Sequence, residues 1–404
     1  MIGRAKRLIV VTSRFPFGAQ EAYLTAELEE LVRYFDRVVV VPVRSPRQPA
    51  RHRVPDGVEV LAWPLVNASL LRRAAQTVAE RPGATIGAIG QLMASRDPGF
   101  AKNATVLVKA LALAHWAREH RFDHIHAYWM STPSTVAMVA ALASDALWSA
   151  TAHRWDIYER NAFDVKQRSV SFVRAISDRG ERDLRVRMPA LNGRIRRLRL
   201  GTVVPDRATP PRSDNAEFRI VCPAALVPVK GHKVLFAALA RLRRSNVPVR
   251  CTLYGAGPMQ AELEAEADFL ELRDAVRFGG FIARDALHNA YRLGWFEAVV
   301  LASRAAGEKM MEGVPSALLE AMALGVPVVA TNSGSVGELL DDGCGRLVKP
   351  DDAGALAAAL LDVYLNPDAA RDRAGLAYDR VAARHDVRTQ MRELASAFER
   401  KGHE

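Results

Sequence analysis

Short β-branched runs alternate with longer amphipathic stretches along the whole chain, and this alternation limits the possible folds more than any other feature. It is typical of parallel sheets, because parallel neighbours are joined by a crossover that is usually a helix. Seven strands are predicted in the first half: Leu8–Thr12, Arg37–Val43, Val58–Ala62, His124–Ala127, Trp148–Ala152, Phe172–Ser177 and Ile195–Leu200. Six are predicted in the second half: Arg219–Pro223, Arg250–Tyr254, Ala275–Phe278, Ala298–Leu301, Pro327–Thr331 and Gly345–Val348. The sequence therefore predicts an α/β protein with two doubly wound, Rossmann-like domains and ligands at the carboxyl ends of the strands.

A segment rich in Pro and polar residues, 205–215, separates the two groups of strands. Such composition is typical of a loop or linker. We predict an N-terminal domain over 1–204, this linker, and a C-terminal domain over 216–380. A helical pattern continues to the end of the chain, and 381–404 is predicted to be a helix that returns to the first domain.

The composition is that of an ordinary folded protein, with 404 residues, 25% charged and 49% hydrophobic. Cys222, Cys251 and Cys344 lie far apart, so neither a disulfide framework nor a zinc site is expected. The apolar run Leu8–Val11 is too short for a signal-peptide core, and 135–151 falls short of a membrane span. We expect a reduced, cytoplasmic protein.

The net charge of +11 requires an explanation. The densest basic cluster comprises Arg182, Arg185, Arg187, Arg194, Arg196, Arg197 and Arg199. No interleaved aromatics and no nucleic-acid-binding motif accompany it, so nucleic acid is not expected as a partner. An anionic membrane surface is the better candidate, and a merely solvated basic surface is the alternative. Residues 64–120 could add an amphipathic helix that contacts lipid, although burial against the sheet explains the same pattern.

Two carboxylates, Glu312 and Glu320, lie on either side of a predicted helix start. The helix is expected to begin near Pro315 or Ser316, because Pro is tolerated in a first turn and Ser is a good N-cap, and to end at Gly325. Backbone N–H groups at such a start attract phosphate. Glu320 could accept hydrogen bonds from ribose hydroxyls, and Glu312 could reach a sugar. Alternatively, Glu320 is an ordinary solvated helix residue.

Other candidates lie just after predicted strands. His153 follows a strand end and could face a cleft, but a lone histidine is more often structural. Gly18 would let the backbone approach a ligand closely, or belong to a plain turn. Lys230 can neutralise a phosphate as a point charge. Gly255 and Gly257 match only part of a dinucleotide-binding motif.

The sequence contains neither a P-loop motif nor an Asp-x-Asp pair. The usual metal clamp on a sugar diphosphate is therefore not expected, and no cofactor is predicted. A metal-free site would take its positive charge from Lys, Arg and helix N-termini.

Together these features resemble glycosyltransferase family 4, the retaining glycosyltransferases of GT-B architecture. The resemblance spans nearly the whole chain and is most specific at 312–331, which contains Glu-x7-Glu, Glu-Ala-Met-Ala-x-Gly and Pro-Val-Val-Ala-Thr. The insertion 305–311, the segment Phe15-Pro16-Phe17-Gly18-x-x-Glu21 and residues 152–157 resemble the exopolysaccharide or colanic-acid-type branch. The resemblance implies two Rossmann-like domains facing each other across a cleft, the first for the acceptor and the second for the nucleotide sugar.

The resemblance also implies an activity, that of a hexosyltransferase-type enzyme. The sugar would pass from a UDP- or GDP-sugar to a saccharide acceptor, free or lipid-linked, in exopolysaccharide, capsule or glycolipid synthesis. His153 would contact the donor sugar, Glu312 would hold its hydroxyls, and Lys230 would stabilise the diphosphate. The residues implied to bind the donor or nucleotide are Gly18, Gly255, Gly257, Gly313, Ser316, Ala317 and Glu320.

Two positions depart from the family pattern. Ala225 stands where the family usually has an Arg that binds the diphosphate, and Pro315 replaces a common Gly. We hypothesise that Arg304 or Lys309 supplies the lost charge, so that replacing both with Ala abolishes transfer. A sugar-nucleotide epimerase of similar fold and a non-catalytic partner of a polysaccharide-assembly complex stay open as alternatives.

Overall fold

The computed structural model describes residues 7–18, 21–45, 49–191, 193–207, 210, 217–307 and 310–399. The chain forms two compact units. The first comprises Met1–Gly201 and Val387–Glu404, and the second comprises Thr202–Asp386. The boundary after Gly201 lies three residues before the predicted end of the first domain at 204, and that after Asp386 lies six residues beyond the predicted end of the second at 380.

The described part of the first unit contains seven strands and ten helices. The strands are β1 (Arg7–Thr12), β2 (Arg37–Pro42), β3 (Val58–Val60), β4 (His124–Ala127), β5 (Leu147–Ala152), β6 (Val173–Ala175) and β7 (Ile195–Arg197). The helices are α1 (Leu24–Leu31), α2 (Ala68–Glu80), α3 (Pro82–Met93), α4 (Phe100–Ala104), α5 (Leu107–Glu119), α6 (Thr132–Ser144), α7 (Arg154–Glu159), α8 (Phe163–Ser169), α9 (Asp178–Arg187) and, from the end of the chain, α17 (Val387–Glu399).

The second unit contains the remaining elements. Its strands are β8 (Phe218–Pro223), β9 (Val249–Tyr254), β10 (Val276–Gly280), β11 (Ala298–Leu301), β12 (Val328–Thr331) and β13 (Arg346–Val348). Its helices are α10 (His232–Arg244), α11 (Gln260–Phe269), α12 (Arg284–Arg292), α13 (Ser316–Ala323), α14 (Gly337–Leu340), α15 (Ala353–Leu365) and α16 (Pro367–Arg384).

Both sheets are parallel and share one order of strands at their centre. The first runs β3-β2-β1-β4-β5-β6-β7, and the second β10-β9-β8-β11-β12-β13. In each, the first strand of the unit lies at the point where the order reverses, between β1 and β4 or between β8 and β11. Ligands of such sheets bind outside the carboxyl ends of the strands at this point.

The predicted α/β fold with two Rossmann-like sheets is confirmed, and all thirteen predicted strands are present. Some are shorter than predicted. The strand predicted over Ile195–Leu200 ends at Arg197, because the guanidinium of Arg174 binds the carbonyl oxygens of Leu198 and Arg199 at 2.8 and 2.7 Å.

The apolar segment 135–151 lies in the core of the first unit. Helix α6 is buried along nearly its whole length, and α5 packs beside it. Helix α2 turns Leu70, Ala74 and Thr77 towards α5 and leaves Leu71 exposed. The amphipathic pattern of α2 therefore reflects burial of one of its faces against α5, while Ile86 and Met93 of α3 are exposed.

The segment predicted as a linker packs on the second unit where the structure describes it. The hydroxyl of Tyr378 donates to the carbonyl oxygen of Pro205 at 2.8 Å, and Arg207 lies 3.1 Å from Asp379. Both contacts are with α16. The continuous helical pattern near the C-terminus is interrupted after Arg384, and α17 then packs on α1 in the first unit.

Candidate functional site

The centre of the second unit's candidate site is an ion pair between Lys230 and Glu312. Lys230 Nζ lies 2.6 Å from Glu312 Oε2, and Ser303 Oγ donates to the same oxygen at 2.8 Å. The side chains of Lys230 and Glu312 are 20% and 11% exposed. Since the three residues follow the carboxyl ends of β8 and β11, they lie at the expected ligand edge of the sheet.

Glycines allow the loops that carry this pair to approach each other. Gly231 and Gly334 have φ of +64° and +60°, a region that favours glycine. A Cβ at Gly231 would overlap the carbonyl oxygen of Ala302, and one at Gly334 would overlap that of Glu312. The hydroxyl of Ser333 accepts from the N–H of Glu312 at 2.9 Å, which fixes the glutamate backbone.

Glu312 is ionised in this setting. Burial alone would raise the pKa of Glu312, but the charge of Lys230 and hydrogen bonds from Lys230, Ser303 and the N–H of Gly313 hold that pKa below its usual value. The site thus presents a carboxylate and an ammonium side by side.

Helix α13 starts close to the predicted position. Pro315 is the N-cap, with extended backbone, and Ser316 is the first helical residue rather than the cap. Helix geometry leaves the N–H groups of Ser316 and Ala317 without acceptors inside the helix. The helix ends at Ala323, and Gly325 follows it with φ of +68°, so the predicted stop is confirmed.

Glu320 is not an ordinary solvated helix residue. Arg284 Nε donates to Oε1 at 2.9 Å, and His288 Nε2 lies 3.2 Å from Oε2. Burial would raise the pKa of Glu320, but His288 and Arg284 together lower it. The carboxylate is therefore charged and already has two partners on α12, neither of which the sequence indicated.

Gly255 and Gly257 are required by backbone packing. A Cβ at Gly255 would overlap the carbonyl oxygen of Ala224, and one at Gly257 would overlap that of Leu226. The loops after β8 and β9 are thereby held together, with the N–H of Leu226 donating to Ala256 at 3.1 Å. A structural role for both glycines is observed, and their donor-binding role stays a prediction.

Of the two residues proposed to replace the missing arginine, Arg304 lies within the described part of the chain. The N–H of Arg304 donates to the carbonyl oxygen of Val229 at 2.8 Å, so its backbone lies beside the Lys230 turn. Its guanidinium lies 2.7 Å from Asp351, and both side chains are exposed. Lys309 lies outside the described residues.

In the first unit, Gly18 and His153 follow the ends of β1 and β5. The carbonyl oxygen of Gly18 lies 2.6 Å from His52 Nε2, and a Cβ at Gly18 would contact the Arg14 side chain. The structure therefore gives Gly18 a place in a turn held by His52.

His153 is 8% exposed, and its ring contacts two aromatic residues. The hydroxyl of Tyr23 lies 3.1 Å from Nε2, and the ring stacks on Trp129 with centroids 4.3 Å apart. Burial, with a smaller contribution from the charge of Arg174, lowers the pKa of His153 to about 3. The imidazole is therefore neutral, with one N–H donor and one nitrogen lone pair as its means of contact with a substrate.

A buried ion pair supports this region. Arg174 and Glu27 are both 0% exposed and bind each other through two hydrogen bonds of 2.8 Å. Asp156 accepts from the N–H of His153 at 2.7 Å and also from that of Met130. Sequence reasoning found His153 but not Glu27, Arg174 or Asp156, because no local pattern connects residues so far apart.

Lys230, Glu312 and the start of α13 follow one edge of the second sheet, with Glu320 on the same helix. His153 and Gly18 belong to the first unit. Three arginines of the basic cluster form ion pairs within the first unit: Arg197 and Arg199 bind Asp178 at 2.9 and 2.8 Å, and Arg185 binds Glu181 at 2.8 Å. Among the described helices, none is both long and apolar enough to cross a membrane.

Residues 207–379 match the family model described as glycosyl transferases group 1. Among curated proteins, the chain is similar to the putative colanic acid biosynthesis glycosyltransferase WcaL of Escherichia coli (strain K12), with 32% identity over 47% of this chain and 47% of that protein. It is also similar to the amylovoran biosynthesis glycosyltransferase AmsK of Erwinia amylovora, with 31% identity over 45% of each chain. The matches thus span about half the length of these relatives.

Among solved structures, the chain is similar to Anabaena Alr3699/HepE in complex with UDP and glucose. The TM-score is 0.72 with 20% identity, over 97% of this chain and 99% of that one. This likeness establishes the GT-B fold that the sequence predicted.

Proposed function

We propose that this protein, whose residues 207–379 match the family model of the group 1 glycosyl transferases, is a retaining hexosyltransferase-type glycosyltransferase. It moves a sugar from a nucleotide diphosphate to a saccharide acceptor, free or lipid-linked, in the synthesis of an exopolysaccharide, capsule or glycolipid. The exopolysaccharide assignment is supported by the names of WcaL and AmsK, each matched over less than half its length.

One observation carries the proposal: the Lys230–Glu312 ion pair at the ligand edge of the second sheet. An ammonium and a carboxylate 2.6 Å apart and partly exposed suit a ligand that carries both phosphates and hydroxyls. Lys230 has three donor protons, so it can bind a phosphate oxygen while still bound to Glu312.

The chemistry follows from where charge develops. As the bond between sugar and diphosphate breaks, negative charge grows on the leaving phosphate, and fixed donors aimed at it lower the barrier. We assign this role to Lys230 and to the N–H groups of Ser316 and Ala317. Glu312 would hold the sugar hydroxyls, and Glu320, already oriented by α12, would accept from the ribose.

We propose that the anomeric configuration is retained by attack from the face that the leaving group departs. The departing phosphate then takes the proton of the acceptor hydroxyl, so no protein base is needed for that step. His153 would contact the donor sugar as a neutral imidazole, consistent with its lowered pKa.

The missing arginine at Ala225 requires another source of charge. We propose that Arg304 or Lys309 supplies it. Arg304 is supported by its backbone contact with Val229 in the Lys230 turn, and its guanidinium would leave Asp351 when a diphosphate binds. The Arg304→Ala/Lys309→Ala double variant should lose transfer, and near-wild-type turnover would contradict this assignment.

The deciding experiment is a ligand screen followed by a transfer assay. UDP-, GDP- and ADP-sugars are tested by thermal shift, because a ligand at a hundred times its dissociation constant stabilises the folded protein by about 2.7 kcal/mol. Donors that bind are then incubated with oligosaccharide acceptors, and the products are separated by chromatography. Transfer with retention supports the proposal.

Two other outcomes would overturn it. Conversion of the nucleotide sugar without any acceptor would identify an epimerase. Binding of UDP or GDP without hydrolysis or transfer, across the acceptors tested, would identify a non-catalytic partner of a polysaccharide-assembly complex.

We also propose peripheral binding to an anionic membrane surface, which the net charge of +11 supports. Liposome binding should then require anionic lipid and weaken as salt rises, because screening shortens the range of surface charges. Binding that is indifferent to both would contradict this.

A further inference from the structure

Glu21 occupies a central position at the ligand edge of the first sheet. Glu21 lies in the segment between β1 and α1 and is 2% exposed. Oε2 accepts from the N–H groups of Arg14 and Phe15 at 2.7 and 2.6 Å. Oε1 accepts from the N–H of Ser13 at 3.0 Å and from Trp129 Nε1 at 2.7 Å. The carboxylate therefore has four N–H donors, and its charge compensates for their burial.

These bonds join two neighbouring strand ends at the point where the strand order reverses. Ser13 follows β1, and Trp129 follows β4. The indole of Trp129 in turn stacks on the imidazole of His153 at 4.3 Å, with 29° between the ring planes. Glu21 thus fixes one face of His153 through a single intervening side chain.

A second buried acidic side chain, Asp156, continues the arrangement towards the next strand, and burial raises its pKa to about 8. Asp156 accepts from the N–H of Met130, after β4, and from the N–H of His153, after β5. The ends of β1, β4 and β5 are therefore connected in series by two acidic side chains, Glu21 and Asp156. His153 is held on its backbone side by Asp156 and on its ring face by Trp129.

We propose that Glu21 is a positioning residue for His153, acting through Trp129, in the sugar transfer proposed above. It rests on that proposed function. Glu21 does not touch the substrate. It sets the orientation of the His153 imidazole and the shape of the loop Ser13–Gly18 beside it. A neutral histidine contributes by geometry rather than charge, so its orientation decides what it can contact.

The Glu21→Gln variant tests this with little change of shape. An amide replaces one oxygen with an NH₂ group, which offers donors to two of the four N–H groups and leaves them without an acceptor. Trp129→Phe removes the indole N–H and keeps an aromatic ring against His153. The matched control is Glu29→Gln, because Glu29 lies on α1, the helix that follows Glu21, in an exposed ion pair with Arg53.

Glu21→Gln should lower kcat by about ten-fold to a hundred-fold, since small misplacements of reacting groups have effects of this size. The Kd for the donor, measured by isothermal titration with a UDP- or GDP-sugar, should stay within about two-fold of wild type. Glu21→Gln and Trp129→Phe should be non-additive, because both act through the same contact. Unchanged kcat in Glu21→Gln, or effects of the two variants that multiply, would overturn the inference.

A second readout does not depend on catalysis. In protein labelled with ¹⁵N-histidine, the ring resonances of His153, assigned with His153→Gln, should shift in Glu21→Gln and stay in place in Glu29→Gln. If the wild-type protein transfers no sugar, the proposed function fails. If the His153 resonances do not shift in Glu21→Gln, the positioning role is overturned whatever the transfer assay shows.

Discussion

The two units have the same central order of strands but use their carboxylates differently. In the first unit, Glu21 and Asp156 accept from backbone N–H groups, and Glu27 binds a fully buried arginine. In the second unit, Glu312 and Glu320 pair with Lys230 and Arg284, and all four side chains keep some exposure. The first set of carboxylates holds a shape, whereas the second holds charges within reach of solvent.

This difference indicates what each unit can offer a ligand. A fully buried pair cannot exchange a partner without unfolding its surroundings, because an unpaired buried charge is very unfavourable. A partly exposed pair contributes little to stability and can rearrange around an ionic ligand. The pairs of the second unit can therefore rearrange around an ionic ligand more readily than the buried pair of the first.

The largest expected effect separates the two kinds of pair. Arg174→Met leaves Glu27 buried and unpaired, and should lower the free energy of unfolding by about 3–5 kcal/mol. Arg284→Met removes one of the two partners of the partly exposed Glu320, so its loss of unfolding free energy should be clearly smaller. Urea unfolding measures the free energy of unfolding of each variant, and hydrogen exchange shows in which unit the stability is lost. Equal losses would show that the two pairs do not differ as described.

The next effect concerns Lys230. Lys230→Ala should lower kcat by about a hundred-fold to a thousand-fold, the size found when one donor to a developing negative charge is removed. Lys233→Ala is the matched control, since Lys233 lies three residues further on, is 46% exposed and binds Glu262. Transfer rates at saturating donor measure the effect. Equal rates for the two variants would show that Lys230 does not take part in the transfer.

Acid should separate the units as well. Burial lowers the pKa of His124 and His153 to about 3 and that of His126 well below its usual value. Burial and the charge of Lys230 lower that of His232, in the second unit, to about 4. Between these values and the ordinary 6.5, the unfolded chain binds more protons than the folded chain, so stability falls as pH drops below 6.5.

Each such histidine contributes at most about 1.4 kcal/mol per pH unit. Burial also lowers the pKa of His52, so the described residues include four such histidines in the first unit and one in the second. Burial raises the pKa of Asp156, in the first unit, to about 8, so this group gains stability as pH falls and offsets about one of the four. The first unit should still lose more stability between pH 6.5 and 5.5. Glu312 and Glu320 of the second unit do not change this comparison. Because their pKa values are lowered from 4.5, the stability that they contribute is lost only below about pH 4.5. Regional hydrogen exchange at the two pH values, with equal loss in both units, would contradict the comparison.

The smallest effect tests the second unit alone. Glu320→Gln should weaken donor binding by about ten-fold, the loss of one hydrogen bond to a charged group, with little effect on kcat. Isothermal titration with the donor measures it, and Glu264→Gln on α11 is the control. Unchanged donor affinity would show that Glu320 has only a structural role, as the partner of Arg284 and His288.

The sequence was sufficient for the fold because the necessary signals are local. Runs such as Arg37–Val43 and Ala298–Leu301 contain enough β-branched residues to identify a buried strand without knowledge of its neighbours. The start and end of α13 were likewise predictable from Pro315 and Gly325. The end of β7 was not, because it depends on Arg174, over 20 residues away.

Much of the site could not be predicted for the same reason. Glu21 and Trp129 are 108 residues apart, and Glu27 and Arg174 are 147 apart, so only the folded chain brings them together. A weak signal existed for Glu21, which closes the Phe15-to-Glu21 segment. No signal distinguished Arg284 from other helix arginines, although it binds the glutamate that the spacing had indicated.

Helix α17 also has a consequence for synthesis of the protein on the ribosome. Phe398 contacts the rings of His124, His126 and Phe172, and Met391 and Leu394 complete an apolar cluster with α1. A nascent chain that has emerged only as far as residue 201 lacks Met391, Leu394 and Phe398. Domains usually fold in the order in which they are translated. Here the first unit can complete this apolar cluster only after the second unit has been made, so the second unit is the first whose residues are all available.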